Sequence, residues 1–254
     1  MGGAERNARK KKQAQRAAAS AVAASRKASD RNKVVAGVAI VVVLALVVIG
    51  GVMWQGASKS TENAQLVATG AKGTNAPVER EGGVVTVGKP DAKVTIDVYE
   101  DFLCPVCGVF KEKYADQIRT HVEAGELRVN YHLLPMLIRM SSPEGYSRDA
   151  ANAALCVADE GKFSEYHDRL YAQQPEEGEA GWTKDQLKQL AVDLGVTSED
   201  FKSCVDSGKH EADAKAELDK ANATDFFKGT PTVTKDGQEL DALGDSEWLS
   251  KLFA

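Results

Sequence analysis

The sequence predicts an α/β domain with an inserted helical subdomain, preceded by a single transmembrane helix. Three observations carry this. Val34 to Trp54 is an unbroken apolar run. Between Val84 and Pro135 a two-residue period gives way to a helical period and then returns, with a Cys-Pro-Val-Cys string at the first change. From Ser142 to Ala223 the period is helical, and β pattern resumes only at Gly229.

The first 33 residues hold ten Lys and Arg against Glu5 and Asp30, a net charge of +8. The whole chain carries −5, so the remainder carries −13. A body that acidic repels phosphate backbones, which argues against a nucleic-acid function. The Ala- and Ser-rich tail 1–33 reads as a disordered, topology-setting cytoplasmic segment. The 21 uncharged residues 34–54 span roughly 31 Å as a helix, the thickness of a bilayer core, with Trp54 at the interface. The run is longer than the apolar core of a cleaved signal peptide, so an uncleaved anchor in the cell membrane is expected. Basic residues stay on the cytoplasmic side, placing everything after Trp54 outside the cytoplasm, where thiols oxidise. Residues 55–83, rich in Gly, Ala, Ser, Thr and Asn, read as a flexible linker with a reach of roughly 30 Å.

The domain proper is assigned to 84–254. Val84 to Val87 and the alternation Val94, Ile96, Val98 predict two strands. Cys107, Phe110, Tyr114 and Ile118 then recur at helical spacing. Pro105 suits a first helical position, where a missing N–H costs nothing, so Cys104 falls at the helix start. Leu127, Val129, Tyr131 and Leu133 form a strand ending at Pro135. In the helical segment, about 142–223, Tyr146, Ala150, Ala153 and Val157 make one stripe, and Phe163, Tyr166, Leu170 and Tyr171 a second. Leu187, Leu190, Ala191 and Leu194 make a third, opened by a Thr183/Gln186 capping box, and Phe201, Cys204 and Val205 begin a fourth. Asp236-Gly237 marks a hairpin, and Asp245 to Phe253 a closing helix.

Two cysteines one helical turn apart at a strand-to-helix junction suit thiol-disulfide exchange. Unpaired N–H groups at the helix start favour a Cys104 thiolate, while Cys107, on the apolar stripe, is shielded. Cys104 would form the mixed disulfide and Cys107 resolve it. Half a zinc site, an inert disulfide and two unrelated core thiols are the competing readings. Zinc needs a second ligand pair, but no other CxxC is present and His121, His132, His167 and His210 are scattered; no metal and no cofactor is expected.

YEDFLCPVC (Tyr99 to Cys107) followed far downstream by GTPTV (Gly229 to Val233) resembles the thioredoxin-fold, DsbA-like disulfide oxidoreductases in a membrane-tethered form. The resemblance runs from about Val84 to the C-terminus and includes the helical insertion. It implies that Pro231 is a cis-proline facing the cysteine pair, with Thr230 contacting bound peptide, and that Pro105 and Val106 form the active-site dipeptide. It further implies an extracytoplasmic oxidase acting on reduced secreted proteins and recharged by a quinone-linked membrane oxidase. A reductase or isomerase of the same fold, and a non-catalytic binding module, remain alternatives. Two departures stand out. Val106 occupies the place of the histidine of strongly oxidising members. Val98 occupies the place of a buried acid six residues before the nucleophile, for which Glu100 or Asp101 could substitute if neither is merely solvated or capping. Cys156 and Cys204, 48 positions apart, are expected to pair in an oxidising compartment as a structural bridge, as in some tethered relatives; reduced core thiols and a shuttle disulfide are the other readings.

Overall fold

The computed structural model describes residues 65–254. The tail 1–33, the apolar run 34–54 and the first part of the linker lie outside the described residues. Among the described residues no helix is long and apolar enough to cross a membrane.

Six strands form one sheet in the order β1-β2-β4-β3-β5-β6. They are β1 (Val78–Glu81), β2 (Val84–Val87), β3 (Val94–Glu100), β4 (Leu127–Leu133), β5 (Thr232–Lys235) and β6 (Gln238–Leu240). β3 and β4 are parallel, joined by helix α1 (Pro105–Ala124), and the other neighbours are antiparallel. The two-residue period sorts β3 into two faces. Ile96 and Val98 are fully buried on one face with Val129, Leu133 and Val233, and α1 adds Cys107, Phe110, Tyr114, Ile118 and Val122 to the same core. Asp97 and Tyr99 lie on the other face with His132 and Thr234. There His132 Nδ1 meets Glu217 Oε1 at 2.7 Å and Nε2 meets Asp97 Oδ1 at 3.1 Å.

The insertion between β4 and β5 contains α2 (Tyr146–Ala158), α3 (Phe163–Ala172), α4 (Lys184–Asp193), α5 (Glu199–Ser207) and α6 (Glu211–Asn222). The capping box forms as expected, with Gln186 N donating to Thr183 Oγ1 and Thr183 N to Gln186 Oε1. The fourth apolar stripe stops at Gly208, in the left-handed region at φ 65°, and a fifth helix follows. Short polar stretches rich in Ala, Asp and Lys hide that helix from periodicity, because only Ala214, Glu217 and Ala221 of α6 are buried. Trp248 and Leu249 in α7 (Trp248–Lys251) close the core.

The domain begins earlier than the sequence reading placed it. β1 falls inside the assigned linker 55–83 and pairs with β2. Leu66 is buried, Val67 N donates to Gln173 Oε1, and Lys72 N donates to Asp168 Oδ2. These bonds join backbone to distant side chains and therefore leave no periodic trace in the sequence.

Cys156 on α2 and Cys204 on α5 form a disulfide. Closing a 48-residue separation stabilises by roughly 4 kcal/mol if it acts by restricting the unfolded chain. Replacing both by Ala is expected to lower the melting temperature on the order of 10 °C with the fold retained, measured by calorimetry. A pH dependence follows from His132. Asp97 and Glu217 hold its imidazolium pKa above the ordinary value, against burial, and both carboxyls are themselves held low by it. That stabilisation is complete below the unfolded histidine value of about 6.5 and is lost as pH rises through the elevated folded value. Thermal scans between pH 6 and 9 should show this decline in the wild type and not in His132→Gln.

Candidate active site

β3 ends at Glu100, and four residues carry the chain to α1. Cys104 is the N-cap of that helix, with extended backbone, and Pro105 follows inside the first turn. The turn is held by Cys104 N donating to the Asp101 carbonyl and Gly108 N donating to the Cys104 carbonyl. Beneath it the buried Asp101 carboxylate accepts from Leu103 N, Met136 N, Leu137 N and Ser147 Oγ at 2.6–2.9 Å. Burial pushes this carboxyl up while the four donors oppose the shift. Asp101 is thus consumed in bracing the loop against β4 and α2. A second brace comes from the insertion: Gln174 Nε2 donates to the carbonyls of Phe102 and Cys104 at 3.0 and 2.9 Å. Gly108 admits this side chain, since a Cβ there would lie 2.3 Å from Gln174 Oε1.

The two sulfurs, both free thiols, sit in opposite environments. Cys104 has a pKa lowered to about 6. The chief cause is the Cys107 thiol donating to it; burial opposes this, and the Thr230 side chain and the N–H groups of Cys107 and Val106 assist. A fall from the ordinary 9.0 to about 6 is on the order of 4 kcal/mol in favour of the thiolate. Cys107 is 1% exposed; burial first, then the Cys104 side chain and its charge, push its thiol well above the ordinary range.

The cis Thr230-Pro231 bond brings the β5 approach to this pair, and as a thiol Cys104 Sγ donates to the Thr230 carbonyl at 3.3 Å. Cys104, Cys107, Thr230 and Pro231 therefore converge, with Pro105 and Val106 exposed at the rim. Cys156 and Cys204 belong to the helices of the insertion. They converge with His210 within 4.8 Å, but their sulfurs are bonded to each other and the imidazole meets Asp159 and Asp213.

One brace escaped the sequence reading altogether, and one acid that it named, Glu100, takes partners it did not foresee. Gln174 lies 70 residues from Cys104 with no motif around it. Glu100, 1% exposed, pairs with His167 Nε2 of α3, whose Nδ1 meets Lys111 Nζ at 3.1 Å. The available signal was a histidine embedded in the apolar stripe Phe163, Tyr166, Leu170.

Alkylation of the reduced protein should modify Cys104 with a pH midpoint near 6 and leave Cys107 unmodified until the chain unfolds, read by mass spectrometry of peptides. A midpoint near the free-cysteine value would contradict the geometry.

The thioredoxin family model matches residues 80–253. Among solved structures, the reduced disulfide bond oxidoreductase DsbG of Mycobacterium tuberculosis superposes with a TM-score of 0.55 at 30% identity, covering 67% of this chain and 82% of that one. Oxidised DsbA of M. tuberculosis gives 0.55 at 30%, covering 66% and 85%. The serine/threonine-protein kinase PknE of the same organism is 34% identical over 178 residues, 66% of this chain, and the chain spans 31% of the kinase's length. A matching family model over most of the domain, together with these neighbours and the paired sulfurs, leads to one conclusion: the chain belongs to the thioredoxin family, with a DsbA-like fold and the active site of a thiol-disulfide oxidoreductase.

Proposed function

We propose that the chain is an extracytoplasmic disulfide oxidase that donates the Cys104-Cys107 disulfide to reduced secreted or cell-surface proteins. The carrying observation is the contrast between the sulfurs: Cys104 favours the thiolate and Cys107 the buried thiol. In the oxidised pair a substrate thiolate attacks Cys104 Sγ. The Cys104-Cys107 bond breaks, and Cys107 leaves as a thiolate and takes up a proton. A second substrate thiolate then attacks the substrate sulfur of the mixed disulfide, the substrate disulfide closes, and Cys104 departs as the thiolate its surroundings favour. A stable leaving thiolate makes the enzyme disulfide the less stable one and drives transfer outward.

Compartment and anchoring rest on the sequence. The +8 tail followed by 21 apolar residues supports a single-pass anchor with the domain outside, and the Cys156-Cys204 disulfide suits an oxidising compartment. Anchoring would keep the domain beside emerging chains and beside a quinone-linked membrane oxidase that restores its disulfide. Val106, where an imidazole would further stabilise the thiolate, favours a second reading, a reductase or isomerase. A potential near about −120 mV marks an oxidase and one near about −270 mV a reductase.

The test is disulfide transfer from the oxidised protein to a reduced, unfolded substrate, with the redox equilibrium measured against glutathione. Cys104→Ala is expected to abolish transfer; Cys156→Ala is expected to retain it with a lower melting temperature. Equal loss in both variants would overturn the division into an exchanging and a structural pair.

A further inference from the structure

We infer that residues 66–72 form a strap that holds the catalytic turn through Gln173, which makes Gln173 a positioning residue for exchange at Cys104. This role rests on the exchange reading above. The strap runs along α3, where its contacts fall on Asp168, Arg169 and Gln173, the last two one turn apart. Val67 N donates to Gln173 Oε1 at 3.0 Å and Gln173 Nε2 donates back to the Val67 carbonyl at 2.9 Å, so one side-chain amide takes both polar groups of one backbone residue. Arg169 Nε donates to the same carbonyl at 3.0 Å, and Lys72 N donates to Asp168 Oδ2 at 2.9 Å. The far end reaches α1, where Lys72 Nζ meets Asp116 at 2.9 Å. That ion pair is exposed and contributes little. Leu66, buried in the core, anchors the near end.

Strap and active site meet at Gln173. It caps α3 with φ −125° and ψ 35°, outside helical geometry, so the direction of the chain beyond it is set by whatever holds it. Trp182 Nε1 donates to its carbonyl at 2.8 Å, its own N–H donates to the Arg169 carbonyl at 3.1 Å, and the strap holds its side chain. Gln174 comes next, and the buried Pro175 after it disfavours helical backbone there. Gln174 Nε2 therefore arrives from a fixed direction at the carbonyls of Phe102 and Cys104, at 3.0 and 2.9 Å. The Cys104 carbonyl also accepts from Gly108 N at 3.2 Å. Displacing the Gln174 amide would thus move the peptide unit between Cys104 and Pro105. With it would move the aim of Cys104 Sγ at the Thr230 carbonyl, 3.3 Å away, and at the N–H groups of the first helical turn.

Apolar packing alone does not order this segment, since Leu66 is its buried side chain and Ala68 is only partly covered. Hydrogen bonds to α3 fix its course. The strap also spans the opening between α1 and α3. Lys72 lines the clefts there together with Lys111 and Asp168, and Pro105, the neighbour of Cys104, lines one of them. The strap thereby ties an inserted helix to the helix that carries the cysteines, across a gap that their own side chains leave open. Bonds as exposed as those to Val67 contribute little to overall stability. Releasing the strap therefore leaves the fold standing and loosens the brace on the turn.

The test follows Cys104 alkylation across pH in the full-length reduced protein, with thermal unfolding alongside. Gln173→Leu keeps the bulk of the side chain and removes both bonds to Val67, whereas Gln174→Leu removes the brace itself. Each should raise the alkylation midpoint by about half a pH unit, a roughly threefold loss of thiolate at pH values below the midpoint. Because the strap acts through Gln174, the double variant should rise no further than Gln174→Leu alone. Val67→Pro, which removes the N–H of the strap without touching α3, should give the same rise and decides the matter if Gln173→Leu fails to fold. A folded strap variant with the wild-type midpoint, whatever its melting temperature, reduces the strap to a stabilising arm and overturns the inference. Additive rises in the double variant overturn it as well. A wild-type midpoint at the free-cysteine value overturns the exchange reading itself.

Discussion

The structure depends on a single junction: the last residue of a buried parallel strand lies four residues before the cap of the helix that returns over the same sheet. That short connection leaves no room for Cys104 and Cys107 to have similar surroundings. Cys104 stands at the helix start, where the N–H groups of Val106 and Cys107 reach its sulfur, and Cys107, one turn in, faces the core. Each sulfur strengthens the other's difference. The Cys107 thiol donates to the Cys104 thiolate, and the resulting charge makes a second ionisation nearby unfavourable. The chemical asymmetry that exchange requires is thus a consequence of chain geometry, and the Thr230 carbonyl completes the enclosure from the far end of the domain.

Geometry so demanding requires bracing, and much of the bracing comes from the inserted helices. The Asp101 carboxylate binds the turn to the end of β4 and to Ser147 on α2. Gln174, just beyond α3, grips the carbonyls on either side of Leu103. Removal of either would leave buried partners unsatisfied, which costs more than the bond itself contributes. The insertion is also tied to the sheet's opposite face through His132 and Glu217. It is therefore part of the active-site architecture, and the Cys156-Cys204 disulfide, by fixing α2 to α5, steadies the helices from which those braces extend.

The two departures from the DsbA-like pattern have different structural meanings. Val106 is exposed at the rim, so the missing imidazole changes a surface contribution to the thiolate and leaves the core untouched. Val98 is fully buried in the sheet, and an acid at that place would need a partner. The chain instead has its acid two residues on, where α3 provides His167 as that partner. Moving a charge along one face of a strand preserves its side of the sheet while changing which helix can neutralise it.

The order strand, cysteine pair, helix, strand was legible because each element buries one face and so repeats at its own period. Cys104 at the helix start followed from Pro105, and the capping box of α4 from Thr183 and Gln186. What periodicity does not encode was invisible. The strapped segment around Leu66 and Lys72 hides within a linker-like composition because its partners are single side chains 96 to 106 positions away, and β1 hides there because it pairs with β2 without burying a face of its own. The bracing by Gln174 was likewise invisible, and the pairing of Glu100 with His167 and Lys111 showed only as a histidine within an apolar stripe, since the residues come from separate elements and share no spacing. Local patterning determined by itself where the reactive sulfurs sit along the chain. Only tertiary packing decided which groups surround them, because a buried charge takes its partner from whatever the fold brings within reach.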